Sequence, residues 1–99
     1  MYLDKYKENL RSLCQQNNVK SLYVFGSALT DRFNDSSDID LVVDIDSNDP
    51  IDYAENYFNL KFALQDLFNR QVDLLESKAI KNPFIRQNID NSKYLIYAK

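Results

Sequence analysis

Fifteen carboxylates and no histidine set the terms for any chemistry in this 99-residue chain. Without histidine there are no Ser-His or Cys-His nucleophile pairs, and the usual zinc ligands are missing. What remains is carboxylates, hydroxyls, lysine, arginine and a hard cation. Three of the acids stand apart by their surroundings. Asp38 and Asp40 open the run "DIDLVVDID", in which acids alternate with aliphatic side chains. Two residues apart on a strand, they leave the same face with Cα atoms ~6.6 Å apart, at ~3.3 Å per residue. Such a pair can lean toward one point and hold one or both of the divalent ions that sit ~3.5–4 Å apart in phosphoryl-transfer sites. Without a cation these acids repel each other. The third acid, Asp73, interrupts the apolar run "VDLL". A lone inward carboxylate there is costly unless paired or metal-bound. Beyond the metals it could bind an attacking hydroxyl and accept its proton.

A metal site alone names no reaction, and Gly26-Ser27, directly after "SLYVF", narrows the choice. Glycine lets the backbone approach a phosphate, serine offers a hydroxyl, and a helix starting at Ser27 would present unpaired N–H groups to an anion. Taken singly, Gly-Ser is an ordinary turn, Asp-x-Asp a solvated face and Asp73 an edge-strand acid. Together they fit one ligand, a nucleoside triphosphate chelated to magnesium, and one reaction class, phosphoryl or nucleotidyl transfer. Asp44 and Asp46 continue the acid face toward the next helix and read as solvated.

The elements that must position these groups follow from periodicity. Tyr2, Leu3, Tyr6, Leu10, Leu13 and Cys14 recur at helical spacing over residues 2–16. "SLYVF", 21–25, reads as a buried strand, and "SALTDRF" is long enough for about two helical turns. Residues 38–46 form a strand with Ile39, Leu41, Val43 and Ile45 inward. Asp49 and Pro50 supply a cap and a first helical residue for 51–69, whose stripe is Ala54, Tyr57, Phe58, Leu60, Leu64, Leu67 and Phe68. Residues 71–76 form a third strand, Asn82-Pro83 opens a helix through about Ile89, and "KYLIYA" reads as an edge strand. The order α-β-α-β-α-β-α-β predicts an α/β fold, a small mixed β-sheet packed by helices, with 1–99 as a single domain.

Composition bounds the partners. The chain is 44% hydrophobic, enough for a packed core, and carries a net charge of −3 with no basic run, which disfavours nucleic acid. The single cysteine, Cys14, can form neither an internal disulfide nor a cysteine-rich metal site, and its place in an apolar stripe makes it core. Charges interrupt the N-terminal segment and no apolar run approaches the ~20 residues of a membrane span, so the chain reads as cytoplasmic and without a membrane partner.

Gly26-Ser27, ten residues, then Asp38-Ile39-Asp40 resembles the signature of the minimal nucleotidyltransferases (MNT) of the DNA polymerase beta-like superfamily. "VDLLESKAIKNPFIRQNIDNSKYLIYA" is similar to that family's C-terminal portion, with Asp73 at the third-carboxylate position. The resemblance implies a polymerase-beta-like nucleotidyltransferase core and magnesium-dependent transfer of AMP from ATP with release of pyrophosphate. It also implies an antitoxin paired with a HEPN-type toxin ribonuclease, which it silences by adding AMP to a tyrosine. Asp38, Asp40 and Asp73 would hold Mg2+, and Gly26 and Ser27 would grip the triphosphate. Many relatives carry Ala-Arg-Gly shortly after Gly-Ser, where this chain reads "ALTDRF", so Arg32 would have to reach the triphosphate from the short helix. The competing reading is a non-catalytic module that neutralises a partner protein by binding it.

Overall fold

The computed structural model describes residues 1–99. A 3-10 segment, Tyr2–Tyr6, leads into helix α1, Lys7–Gln16, and strand β1, Val19–Phe25. A second 3-10 turn, Gly26–Leu29, and an irregular loop precede strand β2, Ile39–Ile45. Helix α2, Pro50–Phe68, strand β3, Val72–Glu76, helix α3, Pro83–Ser92, and strand β4, Tyr94–Ala98, complete the chain. The strands form one sheet in the order β3-β2-β1-β4. β1 runs antiparallel to both β2 and β4, whereas β2 and β3 are parallel, so the sheet is mixed and β4 is an edge. A parallel pair needs a long crossover, and α2 supplies it. No helix is long and apolar enough to cross a membrane.

The alternation in β2 does what period 2 requires. Ile39, Leu41, Val43 and Ile45 are buried and join Leu22 and Val24 of β1 and Val72 and Leu74 of β3 in one core cluster. Leu10 and Cys14 of α1 and Leu60, Leu64 and Phe68 of α2 complete that cluster. Burying each such aliphatic side chain contributes about 1.5–3 kcal/mol. Both caps form as the sequence predicts. The Asp49 carboxylate accepts from Ile51 N–H at 3.1 Å, and the Asn82 carbonyl from Phe84 and Ile85 N–H at 2.9 and 3.3 Å.

Three expectations change. The stripe on α2 is narrower than read: Ala54 and Phe58 are exposed, and the buried positions there are Asn56, Leu60, Leu64 and Phe68. Asn56 tolerates burial because its amide donates to the Asp52 carbonyl at 2.9 Å. The two-turn helix over "SALTDRF" is a four-residue 3-10 turn that ends at Thr30 in extended backbone. The Thr30 hydroxyl donates to the Ser27 carbonyl at 3.0 Å and accepts from Arg32 N–H at 3.2 Å, and this local bonding competes with helix propagation. Asp44 is not solvated like exposed Asp46: it is half-buried, its nearest cation is Lys78 Nζ at 3.6 Å, and Oδ1 is buried with no hydrogen-bond partner.

Candidate active site

Register assembles the acids. Asp40 of β2 is paired with Phe25 of β1 on one side and with Asp73 of β3 on the other. Residues in one such row share a face, so Asp40 and Asp73 project from the side of the sheet opposite the core. Asp38 stands one residue before β2 and is exposed. Asp73 is exposed too, not inward as its apolar neighbours suggested: β3 is an edge strand whose core face is taken by Val72 and Leu74. A burial cost therefore does not explain Asp73, whereas proximity to Asp40 does give it a role in the charge of the site.

Asp40 is half-buried, and its carboxyl is held above the usual carboxylate range by burial first, then by the charges of Asp73 and Asp38. Negative charge on Asp40 is thus disfavoured, and a cation at the cluster would relieve it. No three acids stand close enough to enclose a metal by themselves. The donor set, oxygen only and open on one side, fits Mg2+, which takes one or two carboxylates together with substrate phosphates and waters.

Gly26 is the residue that brings the turn against this cluster. Its φ of +73° lies in the left-handed region, and a Cβ there would stand 2.5 Å from Asp40 Oδ2. Only glycine satisfies both the backbone and the carboxylate. The Ser27 hydroxyl donates to the Asp38 carbonyl at 3.4 Å, tying the turn to the start of the acid strand. Arg32 lies exposed in the loop beyond the 3-10 turn, and its side chain makes no hydrogen bond or ion pair, so the structure does not bring it to the acids. Beside Gly26, Phe25, Leu75, Ile85, Asn88 and Ile89 line a hollow of about 320 Å³ between α3 and the acid-bearing face.

One residue near the site has no signal in the sequence. The Arg70 guanidinium lies 4.7 Å from the Tyr2 ring centroid and 4.4 Å from that of Phe33, and Nη1 donates to the carbonyls of Asn34 and Ser37. Its partners precede it by more than thirty residues, and nothing in "NRQVD" pairs it with that loop.

Comparison with known proteins places this geometry among relatives. Residues 8–99 match the family model described as polymerase beta, nucleotidyltransferase. A Methanocaldococcus jannaschii protein whose name assigns it to the protein adenylyltransferases, MJ1379, is 34% identical over 99 residues, with 96% of each chain covered. A structure described as a minimal nucleotidyltransferase superposes with a TM-score of 0.76 at 25% identity, covering 94% of this chain and 91% of its own. A chain from the complex of a tri-AMPylated Shewanella oneidensis HEPN toxin with MNT antitoxin gives a TM-score of 0.65 at 19% identity, covering 96% of this chain and 71% of its own.

Proposed function

The chain belongs to the polymerase beta nucleotidyltransferase family and is a nucleotidyltransferase, and from that premise we propose that it moves AMP from ATP onto a tyrosine hydroxyl of a HEPN-type toxin, acting as its antitoxin. The observation that carries this reading is the register that sets Asp40 opposite Asp73, with Gly26 against the Asp40 carboxylate. The AMPylated toxin in the related complex supports the choice of acceptor.

In this reading Asp38, Asp40 and Asp73 would hold Mg2+ only together with triphosphate oxygens and waters, and the ion supplies charge neutralisation at the phosphates when bound. Gly26 lets the backbone approach the triphosphate, and Ser27, by releasing the Asp38 carbonyl, can turn its hydroxyl to a phosphate oxygen. Asp73, exposed at the sheet edge, accepts the proton of the incoming hydroxyl. The new bond joins that oxygen to the α-phosphorus, the bond from the α-phosphorus to the bridging oxygen breaks, and pyrophosphate leaves. The hollow beside Gly26 offers apolar walls and the Asn88 amide to a flat ring.

The test is to incubate the chain with a HEPN-type toxin, magnesium and ATP labelled at the α-phosphate, and to follow the toxin's intact mass. A rise by one or more adenylates, absent with Asp38→Asn/Asp40→Asn, supports the reading. A stable complex whose toxin mass never changes overturns it in favour of neutralisation by binding alone.

A further inference from the structure

We infer that Arg70 is a positioning residue for Asp38, fixing the direction in which this acid leaves the backbone. The inference rests on the reading that Asp38 faces a magnesium-bound triphosphate. Asp38 needs such a device because the sheet holds only the peptide plane after it, through Ile39 N–H donating to the Gln71 carbonyl at 3.1 Å, and leaves the plane before it free. The ladder between β2 and β3 begins at Ile39, which pairs with Val72, and residues 30–38 run from the 3-10 turn to β2 as irregular loop. An acid at the end of a loop has no fixed place unless something else sets its φ and ψ.

One side chain and one backbone bond do so from different segments. Arg70, which follows the left-handed Asn69 cap of α2, donates from Nη1 to the Ser37 carbonyl at 2.9 Å and to the Asn34 carbonyl at 2.6 Å. On the other side, Ile39 N–H, which shares its peptide plane with the Asp38 carbonyl, donates to the Gln71 carbonyl at 3.1 Å, so this plane stays held when Ser27 turns its hydroxyl to a phosphate. The Ser37 carbonyl belongs to the peptide plane before the Asp38 Cα, and the Asp38 carbonyl to the plane after it. Peptide units are rigid, so holding both planes holds the two dihedrals between them, and these set the Cβ direction.

The guanidinium is itself held. The rings of Tyr2 and Phe33, packed on each other with centroids 5.1 Å apart, lie together on one side of it with centroids within 5 Å of Cζ, and Phe33 belongs to the same loop. A planar cation lies against ring faces and still presents N–H groups at its edge, whereas a lysine ammonium keeps the charge and loses the plane. Groups that orient a metal-facing side chain typically weigh 10–100-fold in metal affinity.

The measurement is Mn2+ affinity by electron paramagnetic resonance, in the presence of α,β-methylene-ATP, which binds but cannot transfer. Arg70→Ala and Arg70→Lys should each weaken Mn2+ binding about tenfold or more. In the Asp38→Asn background the same changes should have no further effect, because there is no carboxylate left to aim. Circular dichroism checks folding, and Arg70→Lys carries the test if Arg70→Ala does not fold. Mn2+ affinity within twofold of wild type in a folded Arg70 variant, while Asp38→Asn weakens it, overturns the inference and leaves the site reading intact. Equal losses from Arg70→Lys with and without Asp38 also overturn it, since they mark general support of the fold. Wild-type protein that binds no Mn2+, or Asp38→Asn that binds as well as wild type, overturns the site reading and this inference with it.

Discussion

Asp40 carries a charge that its surroundings resist, through burial first and then through Asp73 and Asp38, so its folded-state pKa lies above the ordinary carboxylate value. A raised acid pKa means that the folded chain holds this proton more tightly than the unfolded chain does. The stability it contributes is fully present below the unfolded value of ~3.9 and is lost as pH rises through the folded value. Asp40→Asn removes the titration. Without metal at pH 7 the variant should therefore be at least as stable as wild type in urea unfolding, and the difference should close as the pH falls below the unfolded value, where Asp40 is protonated in both states. A variant less stable than wild type at pH 7 would point to a favourable partner for the charge. Gly26 makes the neighbouring case. Gly26→Ala places a non-glycine residue at φ +73°, at a cost of about 1–2 kcal/mol, and its Cβ displaces the Asp40 carboxylate from 2.5 Å. Urea unfolding should register the first effect and calorimetric titration of magnesium-triphosphate the second. Unchanged affinity would mean that Asp40 can shift without consequence.

Elements whose signals are local were legible in advance. The inner row of β2 follows from alternation, and α2 and α3 from an acid or amide cap before proline. The Gly26 turn was legible as well, because a lone glycine ending an apolar run has few other uses. Signals that depend on tertiary placement were not. Nothing local marks β3 as an edge that leaves Asp73 in solvent, and the length of "SALTDRF" gives no hint that the Thr30 side chain will cut the helix short. Arg70 is the plainest case, since its partners come from distant segments. The cap of α3 offers a test of an element that is legible and close to the site. Asn82→Ala should cost about 1 kcal/mol and loosen residues 83–92 where they wall the hollow beside Gly26. Hydrogen exchange should speed up across α3 and stay slow in β2. Equal acceleration in both would mean that the helix does not open on its own.

The whole molecule divides its sheet between two tasks, and the division explains how like charges come to share a site. One face, with Leu22, Val24, Leu41, Val43, Val72 and Leu74, is sealed into the core. That burial, worth about 1.5–3 kcal/mol per aliphatic side chain, drives the strands into register whatever the opposite face carries. Asp40 and Asp73 are brought together as a consequence of register, and their mutual repulsion is a cost that the core offsets. The unfolded chain has no such cluster, so on the proposed function a magnesium-bound triphosphate binds the folded state alone and must stabilise it. At a hundred times its dissociation constant the gain is about 2.7 kcal/mol. For a domain of this size each kcal/mol raises the melting temperature by about 4–8 °C. Magnesium with α,β-methylene-ATP should therefore raise the wild-type melting temperature by roughly 10–20 °C at that concentration. Asp38→Asn/Asp40→Asn should start no lower than wild type without metal, having lost two mutually repelling charges, and should gain little on addition. The two effects have opposite signs in one variant, which a general loss of structure cannot produce. An equal rise in both proteins would place the ligand elsewhere on the molecule, and a double mutant less stable without metal would mean that the acid face holds the fold together by some means other than the core beneath it.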